Sequence, residues 1–238
     1  MKRPCQAIAL AGALHFNIPL PAFSQVAFTG YSGSISTPTP DVLHEGSVAL
    51  SFSWIDGPET YLRSPLTNRI YTITAGVLPN LEVTMRLTEM VGWHDATVPG
   101  VTYGNDRMFS AKYHIPILST MPKFSIGIQD IASANLLAGI VQNDPRELYG
   151  HSMLYGVAGD SFGPCSWYIG VATSREFING FFGGLIIDTF PGIQLIGEHD
   201  SRHFNWGARI NPSPLIDLKI CNLGANTLGV SSTLAFQL

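Results

Sequence analysis

Two stretches of this chain carry residue types that could do hydrolytic or metal chemistry. "GDSFG" (159–163) fits G-x-S-x-G, the elbow that presents a nucleophilic serine, here Ser161. That elbow needs a strand before it and a helix after it. Pro164 and a new alternating stretch follow instead, so a hairpin loop is the simpler reading. "EHDSRH" (198–203) sets His199 and His203 four apart beside Glu198 and Asp200. Histidines at that spacing share one face only on a helix. This segment reads as a strand end and turn, so structural polar residues are expected, with no metal and no cofactor.

A third set is spread along the chain. Glu82, Arg86, Lys112, Glu198 and Arg209 each fall on the polar side of an alternating stretch. In "LEVTMRLTEM", Leu81, Val83, Met85 and Leu87 oppose Glu82, Thr84, Arg86 and Thr88. In "FNWGARIN", Phe204, Trp206, Ala208 and Ile210 oppose Asn205, Gly207, Arg209 and Asn211; in "LIDLKIC", Ile216, Leu218 and Ile220 oppose Asp217 and Lys219. If these stretches close into a narrow barrel, the five charges line its lumen. They then fill it as a ladder of ion pairs or guide a polar substrate, and ion-pair filling suits a small bore better.

The elements that must position these residues are strands. Side chains alternate between the two faces of a strand. "SVALSFSW" (47–54) puts Val48, Leu50, Phe52 and Trp54 on one face and small residues on the other. Similar stretches lie near 46–55, 69–78, 80–90, 107–116, 122–130, 149–157, 166–173, 181–188, 192–199, 204–211, 215–221 and 228–238. Turn signals separate them, among them Leu78-Pro79-Asn80, Asn179-Gly180 and Pro191-Gly192. Residues 26–36 either add a strand or lie inside, and 133–141 reads as a loop or short helix.

Composition says which face meets what. Of the 238 residues only 13% are charged, about half the roughly 25% of soluble domains. The net charge of −4 has no basic block behind it, which argues against a nucleic-acid partner. Lys2 and Arg3, the apolar "AIALAGAL" and the small-x-small Ala22-Phe23-Ser24 read as a signal peptide over residues 1–24. Residues 25–238 would then be one exported domain. Cys165 and Cys221 make no disulfide scaffold. Strands of eight to eleven residues match the length that crosses a bilayer at a tilt. The last one sets Val230, Leu234, Phe236 and Leu238 against Gly229, Ser231, Thr233, Ala235 and Gln237 and runs to the chain end. We therefore expect an all-β, antiparallel up-and-down transmembrane β-barrel of roughly twelve strands in a Gram-negative outer membrane, with lipid against its outer face. A secreted β-sandwich is the competing fold.

The ordered motifs carry a resemblance. "GSISTPTPDVLHEGSVALSFSW", "LPNLEVTMRLTEM", "DRMFSAKYHIP", "PKFSIGIQDI" and "NGFFGGLIIDTFPGIQLIGEHDSRHFNWGARINP" together resemble, in order from Gly33 to about Pro212, the YjbH-like family of outer-membrane proteins linked to exopolysaccharide production. The chain departs from that family in being short and in reading "ASAN" after Asp130-Ile131, where a Gly-Thr-Gly is usual. The resemblance implies a non-enzymatic component of exopolysaccharide secretion or assembly, with polysaccharide and other secretion proteins as partners, and it brings no catalytic residues. Two other readings remain: a porin-like passive channel, and a hydrolase using His199, Asp200 or Ser161 at the barrel rim.

Overall fold

Each alternating stretch becomes a strand in the computed structural model, which describes residues 25–56, 67–91, 103–116, 122–131, 152–174, 178–224 and 226–238. The first six strands are Ser47–Asp56 (β1), Asn68–Leu78 (β2), Leu81–Val91 (β3), Tyr103–Ile115 (β4), Lys123–Gln129 (β5) and Met153–Phe162 (β6). The rest are Cys165–Thr173 (β7), Gly180–Phe190 (β8), Ile193–His199 (β9), Phe204–Ser213 (β10), Ile216–Leu223 (β11) and Thr227–Gln237 (β12). Consecutive strands pair antiparallel, and β1 pairs β12 from Ser47↔Gln237 to Asp56↔Leu228. The result is a closed up-and-down barrel of twelve strands. Closure removes every free sheet edge. The expected leader at 1–24 and the stretch 133–141 lie outside the described residues.

Two local expectations shift. β6 runs on to Phe162 because Gly159, Asp160 and Ser161 pair with Tyr168, Trp167 and Ser166, so the turn is confined to Gly163-Pro164. A ladder partner overrides the loop preference of Gly, Asp and Ser. At the other site, β8 starts at Gly180 and pairs it with Ala172. The turn signal Asn179-Gly180 is therefore the end of a longer connection.

An even strand number brings the start of β1 and the end of β12 to one end of the barrel. Tight turns occupy that end at 79–80, 163–164, 191–192 and 214–215, and β4 and β5 are separated there by 116–122. Asn80 (φ 66°) and Gly192 (φ 76°) take the left-handed conformation two of these turns need. The opposite end carries the longer connections 57–67, 92–102 and 130–152. Short turns at the periplasmic side and long loops outside are the outer-membrane pattern.

The faces sort as alternation demands. Leu50, Phe52, Ile73, Met85, Phe109, Ile126, Ile169, Leu218 and Leu234 are exposed on the outside, while Ser51, Ser53, Thr72, Thr84 and Ser110 are buried inside. Phe181, Phe204 and Trp206 stand exposed at the loop end; Phe162, Phe190 and Tyr113 stand exposed at the turn end. An apolar belt between aromatic girdles is a lipid-facing surface, and in water it would exceed any tolerable patch. Val48, Leu50, Phe52 and Trp54 thus look outward, and the barrel belongs to a Gram-negative outer membrane. Cys165 and Cys221 are both free thiols.

The interior is occupied by the chain's own residues 25–40, and Leu43 is buried as well, while Asp41, His44 and Glu45 are exposed. Val26, Ala27, Phe28, Tyr31, Ile35 and Leu43 are buried there, and antiparallel bridges Val26↔Ser32 and Gly33↔Pro38 fold the segment back on itself. Tyr31 packs on Tyr155 of β6 with ring centroids 5.6 Å apart. Burying Phe28, Tyr31 and Ile35 contributes about 1.5–3 kcal/mol each. The segment then joins the wall where Gly46 N donates to Gly76 O at 2.9 Å and Glu45 bridges Gly76.

Candidate functional site: the charged lumen and its inlaid segment

An inlaid segment that pairs with no strand must satisfy its main-chain donors and acceptors elsewhere. "GSISTPTP" (33–40) is rich in Gly, Ser, Thr and Pro and has no alternating apolar side with which to join the sheet. The wall satisfies it with side chains. Glu82 on β3 stands opposite Lys112 on β4, and their ion pair spans 3.2 Å with both side chains fully buried. Glu82 also accepts from Ser32 N at 2.8 Å, from the Ser32 hydroxyl, and from Leu43 N at 2.9 Å. Lys112 Nζ donates to the carbonyls of Ser32 at 2.6 Å and Thr39 at 3.2 Å. A buried pair repays its desolvation only when its spare lone pairs and protons find partners. Here they find the inlaid backbone.

Glu198 on β9 has no ion-pair partner among the described residues. Its carboxylate accepts from the nitrogens of Ile35, Ser36 and Thr37 at 3.0, 2.8 and 3.4 Å. It also accepts from the hydroxyls of Ser36 and Thr37, from Tyr168 OH at 3.2 Å and from Asn205 Nδ2 at 3.0 Å. Successive N–H groups converging on one anion form a nest, with the wall supplying the anion. On the far side of the same segment, Lys219 Nζ donates to Val26 O at 2.8 Å and Ser34 O at 2.5 Å, and sits 5.4 Å from the Phe28 ring centre. Arg209 Nε lies 3.0 Å from Asp217 Oδ2, and its Nη1 donates to Gln194 Oε1 at 3.0 Å. Arg86 is buried where the segment bends at Gly30, whose carbonyl accepts from Thr74 and Thr84 hydroxyls at 2.5 and 3.2 Å.

All five charges read from the sequence therefore point inward and are buried. Glu82 and Lys112 meet; Glu198 and Arg209, on neighbouring strands, stand opposite Asn205 and Gln194 instead of each other. The lumen is less a ladder of ion pairs than a set of carboxylates holding N–H groups and ammoniums holding carbonyls. Lys219 and Asp217 belong to the same set and were marked by the polar face of "LIDLKIC". Tyr168 and the main-chain donors at 32, 35–37 and 43 carried no periodic signal.

The hydrolase candidates are not assembled. Ser161 lies at the turn end, where its hydroxyl bonds to that of Ser166 at 2.8 Å. His199 and Asp200 lie at the loop end. Asp200 Oδ1 accepts from Arg202 N and His203 N at 3.0 and 2.8 Å, closing the β9–β10 turn. The His199 ring packs on Phe204 at 4.8 Å. A nucleophile and its base must lie within hydrogen-bond reach, and these are at opposite ends of the barrel. Among the described residues no cluster of His, Cys, Asp or Glu could hold a metal ion.

No family model and no curated protein matches the chain. Among solved structures it is similar to the N-terminal β-barrel domain of Pseudomonas aeruginosa OprF, at 10% identity over 81% of this chain and 98% of that one, with a TM-score of 0.29. It is similar to a mutant of Rh. blastica porin at 9% identity over 72% of this chain and 55% of that one, with a TM-score of 0.32. It is also similar to a structure titled "Bacterial polysaccharide outer membrane secretin" at 10% identity over 83% of this chain and 100% of that one, with a TM-score of 0.29. Superposition this loose adds nothing to the strand order and faces already described, and the site rests on this chain's own geometry.

Proposed function

We propose that this protein is a non-enzymatic outer-membrane β-barrel component of exopolysaccharide secretion or assembly, exported after removal of residues 1–24. The ordered motifs from Gly33 to Pro212 suggest the process. The observation that carries the non-channel part is the lumen: residues 25–40 fill it, and Glu82, Lys112, Glu198 and Lys219 hold their main-chain groups there. That filling counts against a porin whose bore stands permanently open. The separation of Ser161 from His199 and Asp200 counts against a hydrolase. The polymer's handling then falls to the loops, the barrel mouths and partner proteins.

The test is deletion and complementation in a polymer-producing cell. Loss of the protein should lower surface polysaccharide, and the wild-type chain should restore it. Arg209→Ala should lower the melting temperature of the detergent-extracted barrel, with polymer output falling only in proportion to the folded protein left. Unchanged output in the deletion strain would defeat the proposal. Normal melting with abolished output would make the lumen charges a substrate path.

A further inference from the structure

One sector of the wall is not built like a core. On β12, β1, β2 and β3 the inward side chains include Ser231, Thr233, Ser51, Ser53, Thr72 and Thr88, all buried, with Ile55 and Ile70 the large apolar ones among them. They are ladder neighbours: Ser51 stands opposite Thr72 and Thr233, and Ser53 opposite Ser231. The hydroxyls of Thr72, Thr88 and Ser231 have no hydrogen-bond partner among the described residues, nor do those of Ser47 and Thr227 on the same strands. Buried polar atoms without partners are costly and native proteins keep few. A wall hydroxyl that only held the packed segment would bond to it, as those of Thr74 and Thr84 do. The opposite sector carries apolar side chains, with Met153 and Val157 on β6, Phe182 on β8 and Ile196 on β9. The polar part of the grip on the segment, beside the packing of Phe28, Tyr31 and Ile35, is made of charged side chains on main-chain groups, and water can replace such bonds.

We infer that residues 25–46 are a displaceable stopper, and that the hydroxyl-lined sector of β12, β1, β2 and β3 is the wall of a water-filled passage for ions and small hydrophilic solutes. The segment enters β1 through Gly46 at the turn end, so it withdraws toward that side. The passage goes beyond the polymer reading and does not depend on it.

The experiment uses the full chain in planar bilayers with KCl as the probe. The wild type should be nearly silent. The double variant Glu82→Gln, Glu198→Gln should raise the open fraction by about tenfold or more, the factor that follows from weakening one charge-assisted hydrogen bond. Adding Thr88→Leu should cut the conductance of each opening. A folded double variant, shown by its heat-modifiable gel band, with wild-type silence would overturn the inference. A second measurement keeps the grip intact. In a chain with Cys165→Ser and Cys221→Ser, a cysteine in place of Ser53 should react with a charged methanethiosulfonate at least about tenfold faster than one in place of Val157, because the passage admits water on one sector only. Equal rates would overturn it as well.

Discussion

Glu198 and Ser36 lie 162 residues apart in the chain, yet the Ser36 nitrogen donates to the Glu198 carboxylate at 2.8 Å and the Ser36 hydroxyl donates to the same oxygen at 2.5 Å. With Ile35 and Thr37 on the second oxygen, this contact fixes the tip of the inlaid segment against β9. The barrel wall thus does for residues 25–46 what a neighbouring strand does elsewhere.

Glu198→Ala should therefore destabilise the folded barrel by about 3 kcal/mol or more, because it leaves several buried N–H and O–H donors without an acceptor at about 1–3 kcal/mol each. Glu198→Gln keeps two oxygen-sized positions and should lose less. Thermal gel-shift midpoints in detergent give both values. A Glu198→Ala barrel that melts with the wild type would mean the segment is not held there.

The lipid face is tested by charge. Leu50→Arg or Leu218→Arg, each exposed at mid-strand, should cost about 2–4 kcal/mol of folding into a bilayer. Ser51→Arg on the opposite face should fail for a different reason, because Ser51 is buried against the Thr233 hydroxyl at 3.0 Å and has no room. Folding yields into liposomes of chosen thickness separate the cases: only the outward substitutions should improve in thinner bilayers. Wild-type folding of both outward variants would show that these positions do not meet lipid.

Close backbone approach makes a sharper pair. A Cβ on Gly76 would strike the carbonyls of His44 and Leu43, whereas one on Gly197 would meet nothing within 4 Å. Gly76→Ala should cost about 1–3 kcal/mol by overpacking and should loosen the base of the inlaid segment. Gly197→Ala should stay within about 0.5 kcal/mol. Limited proteolysis, read by cleavage between 25 and 46, should rise for Gly76→Ala alone.

The proposed removal of residues 1–24 can be tested directly. Gln25 already sits in the barrel, with its Nε2 donating to Gln194 Oε1 at 2.8 Å, so the mature chain should begin at or near it. Mass spectrometry of membrane-extracted protein should find that start. An intact Met1 on protein recovered from the cytosol would show that the leader is not used.

The strands and their faces were legible in the sequence because alternation is a local property. Val48 to Trp54, Leu81 to Thr88 and Ile216 to Ile220 each declare an inside and an outside within eight residues, and a closed barrel needs little more than twelve such declarations in a row. The inward setting of Glu82, Arg86, Lys112, Glu198 and Arg209 followed from the same rule. Where a strand ends was less legible: Gly159 to Ser161 carry loop chemistry but gain ladder partners on β7. The filling of the lumen was decided only by the tertiary structure. Residues 33–40 have no period, since Gly, Ser, Thr and Pro neither alternate nor form an amphipathic stripe. Their place depends on backbone N–H and C=O groups meeting Glu82, Lys112, Glu198 and Lys219. Every residue but proline has both those groups, so the sequence sets no mark on the ones the wall will hold. The choice is made when the barrel closes and brings wall charges from β3, β4, β9 and β11 around one unpaired segment.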